Sequence, residues 1–303
     1  MFLLINIFAL LLTQSLTTAS ELDSKPRQLE FDYKAPDKWK DKFSSCGGSN
    51  QSPVNLDFKK FREVVDPQKL QFHHYDNVPK KMIIVNNGHT RKKKLKKIIL
   101  ILYFIILVEL RGQWPDNEIP FISGGPLQSQ YIFKQLHFHW GINNQEGSEH
   151  TIHGKSFPLE MHLVHYKKDY DSFNNALNHT DGISVVAVFF DIQPDGSEGI
   201  TDVLKNASNL VNPNTEVNLE PFALSNFDGV FTAPKYASYY GSLTTPPCTE
   251  AVTWIFPVSV LDVSKYQMKT LRCINFKHED FHNYRPAQKL NDRIIYLFKQ
   301  PPD

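Results

Sequence analysis

At 303 residues, with 41% hydrophobic and 21% charged side chains, the chain has the composition of an ordinary globular protein of one large or two average domains. Its formal charge of +1 gives no reason to expect binding to nucleic acid or to an anionic membrane surface. Twelve histidines is a high number, and most are expected to be plain surface or core residues.

Phe2 to Leu12 is almost wholly apolar and is followed by the small residues Thr17-Thr18-Ala19. Residues 1–19 therefore read as a secretory signal peptide, although the basic start of such peptides is missing. The mature chain, 20–303, is then expected to be secreted into an oxidising, extracellular setting. The sequons at Asn178 and Asn206 fit that setting, whereas Asn50-Gln51-Ser52 is followed by Pro53 and is a poor acceptor. The three cysteines, Cys46, Cys248 and Cys273, are too far apart for a zinc ribbon or a redox motif. One disulfide and one spare thiol are expected, and spacing does not choose the pair.

Residues 20–60 are polar, with a turn cluster at 46–50, and predict a segment wrapped over the surface. Strand patterns follow at Lys81 to Asn86, Tyr131 to Trp140, Leu159 to Tyr166, Ile183 to Ile192 and Ala251 to Val260, rich in Val, Ile, Phe and Tyr. Helix signals are sparse: Thr201 to Leu210 carries one apolar stripe, and Val258 to Leu271 is a second candidate. The predicted fold is mainly β with surface helices (α+β), a single domain built on a large, mostly antiparallel twisted sheet.

One stretch is out of character. Arg91 to Leu107 reads RKKKLKKIILILYFIIL, with six basic residues among its first seven and an apolar run from Ile98 to Val108. Eleven apolar residues are too few to span a bilayer, so no transmembrane span is expected. Left open, the run would be an aggregation-prone window. The segment uses only Arg, Lys, Leu, Ile, Tyr and Phe, all of which have A/T-rich codons. It is read as an anomalous insertion, a translated unspliced intron or gene-model error. The alternative is a basic-amphiphilic loop that binds anionic lipid.

The chemistry gathers in two strands. In Gln135-Leu136-His137-Phe138-His139-Trp140-Gly141, a period of two puts His137, His139 and Gln135 on one face and Leu136, Phe138 and Trp140 on the other. In Leu159 to Tyr166, Glu160, His162 and Val164 share a face, opposite Met161, Leu163 and His165. If the two strands are neighbours, His137, His139 and His162 form a three-imidazole face with an open fourth position, the arrangement of a catalytic zinc. Imidazole also suits copper, nickel and iron. Gln135 and Glu160 are placed to accept the second N–H of such ligands.

QLHFHWG at 135–141, GSEHT at 147–151, LEMHLVH at 159–165, GSLTTPPCTE at 241–250, VTWIF at 252–256 and NYRPAQ at 283–288 together resemble an α-class carbonic anhydrase of the secreted, insect-like animal type. The resemblance covers roughly residues 30 to 298. It implies reversible hydration of carbon dioxide to bicarbonate and a proton by a zinc-bound hydroxide. It also implies Zn2+ ligands at His137, His139 and His162, with Thr244 orienting the hydroxide and Glu149 accepting from Thr244. Val164, Val185, Leu243, Thr245 and Trp254 resemble the pocket wall. His89 resembles the proton shuttle, bordered by a water network with Tyr33 and Asn87, although by spacing alone His89 is a surface histidine after a turn. Cys46 and Cys248 match the cysteine pair of secreted members, which leaves Cys273 buried and inert. His150 and His165 are expected to be structural hydrogen-bonders.

Within that family the strand after Asn86-Asn87-Gly88-His89-Thr90 continues directly, and deleting 91–107 restores HTVELRGQW while taking the formal charge from +1 to -5. Three functions are compared. An active zinc lyase is favoured because all three histidines are present. A catalytically impaired carbonic-anhydrase-like binding protein is the alternative that the insertion suggests, and a zinc esterase would want a larger pocket. The end of the chain, Lys299 to Asp303, predicts no lipid anchor signal.

Overall fold

The computed structural model describes residues 31–64, 68–86, 108–205, 207–210, 212–274 and 281–299. Its first half carries helix α1 (Trp39–Lys42) and strands β1 (Asn55–Leu56), β2 (Arg62–Val64), β3 (Gln71–His73), β4 (Lys81–Asn86), β5 (Val108–Gln113), β6 (Phe121–Ser123), β7 (Tyr131–Trp140) and β8 (Thr151–Ile152). Then come β9 (Leu159–Lys167), α2 (Phe173–Ala176), β10 (Ile183–Ile192), α3 (Glu198–Leu204), β11 (Thr215–Leu219), β12 (Lys235–Gly241), β13 (Val252–Pro257), β14 (Val260–Val263), α4 (Lys265–Leu271) and β15 (Tyr296–Lys299).

Among the described residues thirteen strands join one sheet, in the order β11-β4-β5-β7-β9-β10-β13-β12-β15-β2, with β14 on β10 and β3–β6 beside β7. Most neighbours are antiparallel, as expected. The sheet is nonetheless mixed, because β10–β13, β10–β14 and β15–β2 are parallel. Parallel neighbours need a long crossover, and between β10 and β13 the chain runs through α3, β11 and β12. The separate pair β1–β8 is also parallel.

Each face of the sheet carries its own apolar cluster. β10 is buried on both: Val186, Val188 and Phe190 belong to one cluster, Val185, Ala187 and Phe189 to the other. That explains its unbroken apolar sequence, the mark of a strand covered on two sides. β7 contains a register shift against β9 between Phe133 and Gln135. The extra residue, Lys134, reverses the alternation, as a bulge does. Tyr131 and Phe133 before it thus share the buried cluster with Leu136, Phe138 and Trp140 after it.

Several expectations are corrected. The strand predicted for Ala251 to Val260 is β13, ending at Pro257, followed by a separate β14 from Val260. The helix predicted for Val258 to Leu271 is therefore half strand. α4 begins only at Lys265, where Ser264 and Gln267 form a capping box. α3 starts at Glu198, ahead of the predicted Thr201, because Ser197 accepts from the N–H of Ile200 (3.4 Å). Its continuation at Ala207–Leu210 is a 3-10 turn. Residues 31–60 do more than wrap the surface, for Phe31, Tyr33, Trp39, Cys46, Val54 and Leu56 are all buried.

The disulfide is Cys46–Cys248. Cys273 is exposed rather than buried. It follows α4 between Leu271 and Ile274, which take the inward positions at 1% and 4% exposure. Asn50, whose sequon reads as a poor acceptor, commits its Nδ2 to Glu250 Oε2 (3.0 Å).

Candidate active site

β7 and β9 are neighbours, and their register sets His137 opposite His162 and His139 opposite Glu160. The two strands thereby bring three buried imidazoles to one patch of the sheet. His162 Nδ1 lies 3.2 Å from His137 Nε2 and 3.2 Å from His139 Nε2. These are not hydrogen bonds between neutral rings, because the other nitrogen of each ring is already a donor. His137 Nδ1 donates to Gln135 Oε1 (2.9 Å), His139 Nδ1 to the Asn283 carbonyl (2.6 Å) and His162 Nε2 to Glu160 Oε1 (2.6 Å). With those protons placed, three lone pairs face one point. The separation suits a tetrahedral ion with metal–nitrogen bonds of about 2.0–2.1 Å, for which ligand nitrogens stand about 3.3 Å apart. Burial first, and then the neighbouring imidazoles, hold His137 and His139 well below the usual histidine range, in the neutral form that binds a metal.

Carboxylates complete the field. Glu160 Oε1 accepts from both His162 Nε2 and His150 Nδ1 (2.7 Å), and its Oε2 accepts from the His150 N–H (2.8 Å). Burial opposes ionisation of Glu160, but His150 and His162 outweigh it and keep the carboxyl well below its ordinary value. His150, Glu160 and His162 are also close enough to resemble a second metal group. Their facing atoms are, however, spent on one another, and His150 Nε2 meets Tyr239 OH (2.7 Å). Glu149 is buried too. Its Oε1 accepts from the Arg285 N–H (2.9 Å), while Oε2 has no partner of good hydrogen-bond geometry among the described residues and lies 3.3 Å from His139 Nε2. Burial and Glu160 push this carboxyl well up, against a looser hydrogen bond from Thr244 and the pull of Arg285. A buried carboxylate oxygen without a well-formed hydrogen bond, beside three converging lone pairs, fits a cation.

One row over, Gln135, Val164, Val185 and Trp254 are successive cross-strand partners on β7, β9, β10 and β13. Val164, Val185 and Trp254 are buried, and Leu243 packs against the same cluster. The Trp254 ring stands edge-on to His162 at 4.8 Å between centroids. Its Nε1 donates to the Ser242 carbonyl (3.2 Å), fastening the loop that carries Leu243, Thr244 and Thr245. The predicted ligands, carboxylates, Thr244 and apolar wall are thus brought together on one side of the sheet. Tyr33 is buried between Trp39 and His282. Asn87, His89, Asn206 and residues 91–107 lie outside the described residues, as do residues 1–19. Asn178 is exposed at the end of α2.

Three contributors were not assigned from the sequence. Asn283 gives its carbonyl to His139, and its side chain holds β7 through Trp140 N (2.7 Å) and Phe138 O (2.8 Å). Arg285 reaches Glu149 through its main chain. Both lie in NYRPAQ, a motif visible in the sequence whose contacts are made across 136 or more residues. Glu109 stands opposite His137 on β5, buried and paired with Arg111 (2.5 Å). Its alternation with Val108 and Leu110 was the available signal. His165, by contrast, has its expected structural role: Nδ1 donates to the Ser184 carbonyl (3.3 Å), and Nε2 meets Tyr75 OH.

The model of the eukaryotic-type carbonic anhydrase family matches residues 34–299. Carbonic anhydrase 3 of Sus scrofa is 32% identical over 275 residues, covering 87% of this chain and 95% of that protein. Carbonic anhydrase 3 of Homo sapiens is 32% identical over 271 residues with the same coverage. Carbonic anhydrase 7 of Mus musculus reaches 39% over 191 residues, 57% of this chain and 67% of the relative. With a three-histidine patch on this sheet, the family model matched over residues 34–299 and carbonic anhydrase 3 matched over 95% of its length, the chain belongs to the eukaryotic-type carbonic anhydrase family.

Proposed function

We propose that the protein hydrates carbon dioxide reversibly to bicarbonate and a proton, with zinc held by His137, His139 and His162. The observation that carries this reading is the convergence of three ring nitrogens whose partner nitrogens are all committed as donors. Zinc, when bound, supplies a Lewis acid that brings the ionisation of water down to near-neutral pH. The chain's own residues do the rest. A carboxylate can only accept, so Glu149 accepts the hydrogen bond of the Thr244 hydroxyl and leaves Thr244 to accept in turn from the attacking oxygen and aim its lone pair. Val164, Val185, Leu243 and Trp254, with Thr245 beside them, offer an apolar wall to a substrate without a net dipole. His89 passes the released proton to buffer, within a water network bordered by Tyr33 and Asn87; an imidazole is tuned for that range.

We further propose that residues 1–19 are a signal peptide, that the chain is secreted, and that Asn178 and Asn206 carry glycans. The Cys46–Cys248 disulfide supports the oxidising setting. Among the described residues no helix is long and apolar enough to cross a membrane. Residues 91–107 are proposed to be a retained intron, and a spliced transcript that still encodes them would overturn this. The strand pairing Asn86↔Val108 supports a catalytic centre that is assembled even with the segment present, against an impaired binding protein. Stopped-flow carbon dioxide hydration tests the main reading. Activity should vanish with a zinc chelator and in His137→Ala, and metal-independent activity would sink it.

A further inference from the structure

Arg285 hydrogen-bonds to the site through its main chain, by the N–H that donates to Glu149 Oε1, and its guanidinium acts on that carboxyl only through its charge. The hydrogen bonds of its side chain, only 2% exposed, go elsewhere. Nη1 donates to Gln51 Oε1 (2.9 Å) and to the Ser52 carbonyl (2.8 Å), and Nη2 donates to the Cys46 carbonyl (3.1 Å). The guanidinium also lies 5.5 Å from the centroid of the Trp39 ring. Burial lowers its pKa to about 10, so it remains a cation at neutral pH. A buried cation held mainly by neutral acceptors is a costly way to fill space. A planar fork of fixed donors is a precise way to hold three acceptors at once.

All three acceptors belong to residues 46–52, and that segment is also tied to the loop carrying Thr244. Cys46 is bonded to Cys248. Gln51 Nε2 donates to the Cys248 carbonyl (3.2 Å). Ser52 N donates to Ser242 Oγ (2.9 Å), and Ser242 N donates back to Ser52 Oγ (3.0 Å). Residues 46–52 therefore form a strut with Glu149 at one end, reached through Arg285, and Thr244 at the other.

We propose that Arg285 is a positioning residue whose guanidinium, clamped on residues 46–52, sets the spacing between Glu149 and the Thr244 loop and so aligns the pair that aims the nucleophile. This rests on the roles given above to Thr244 and Glu149. The test is a double-mutant cycle on zinc-loaded protein, reading kcat, KM and zinc content. Arg285→Met should lower kcat about ten-fold, as small misplacements do, with KM and zinc content unchanged. In a Thr244→Ala background the same substitution should cost less than about two-fold, because the pair it aligns is gone. Arg285→Lys, which keeps the charge and loses the fork, should fall between. Gln51→Met removes one acceptor together with that side chain's own bonds to the Cys248 carbonyl and Glu250, so it loosens the same strut with the arginine in place and carries the same cycle should Arg285→Met not fold. Equal losses in both backgrounds, a loss confined to KM or zinc content, or wild-type kcat in folded Arg285→Met or Gln51→Met would overturn the proposal. A wild-type chain inactive toward carbon dioxide would instead overturn the reading of the site.

Discussion

Each histidine of the candidate centre owes its orientation to a residue that holds its second nitrogen. For His139 that residue is Asn283, whose side chain bridges Trp140 N and Phe138 O while its carbonyl meets the ring. Asn283→Ala should cost about 2–3 kcal/mol through unsatisfied buried groups on β7. It keeps the carbonyl that holds His139 but loosens its position, so zinc binding should weaken by less than the roughly ten-fold that losing such a partner outright costs; urea unfolding and competition with a chromophoric chelator measure the two effects. His165 makes a different prediction. Burial lowers its pKa from 6.5 to about 3, so between those values the unfolded chain takes a proton that the folded chain refuses. Its contribution to stability is therefore complete above about pH 6.5 and is lost as pH falls toward 3, by at most about 1.4 kcal/mol per pH unit. Urea midpoints measured from pH 7 to pH 4 should fall less steeply in His165→Asn than in the wild type; parallel curves would show that His165 is not buried neutral.

At the scale of elements, β7 shows how one residue sets a face. Without the bulge at Lys134, Tyr131 and Phe133 would turn to the histidine side. The hairpin β4–β5 bears on the insertion, because its ladder runs without interruption from Lys81↔Gln113 to Asn86↔Val108. The two strands thus meet directly where the segment 87–107 joins them. Removing 91–107 leaves a connection of four residues, 87–90, a length that β-hairpins commonly use. The shorter connection lowers the closure cost by about 1.5 kcal/mol. The deletion variant is expected to unfold at higher urea, to be more soluble and to hydrate carbon dioxide faster than the full chain. Equal yield, stability and activity in both would count against the segment being foreign to the fold.

For the whole molecule, the two apolar clusters on opposite faces of the sheet carry the fold, while the histidines lie between strands already fixed by pairing. Removing metal should therefore abolish hydration and lower Tm yet leave the near-UV circular dichroism of a folded protein. A chelated protein without tertiary signal would show that the metal builds the fold. The disulfide closes a separation of 202 residues, and its loss should cost on the order of 5 kcal/mol in the chain-entropy account. Because the bridge ties residues 46–52 to the Thr244 loop, reduction is expected to lower kcat before it unfolds the chain, which activity and circular dichroism followed together over a dithiothreitol series would reveal.

The sequence by itself determined what alternation and local chemistry can carry. His137 and His139 with Gln135, and His162 with Glu160, lie two apart on single strands, so their shared faces follow from the period of a strand. The scarcity of helix among the described residues was equally plain in the short alternating runs. What tertiary structure decided were contacts between residues remote in the chain: Asn283 on His139, Arg285 on Glu149, and Cys46 with Cys248. It also decided the bulge at Lys134, the parallel pairs of β10 and the outward turn of Cys273. No local propensity encodes those. They follow from which strands pair and in what register, and that is settled only when the two faces of the sheet are buried together.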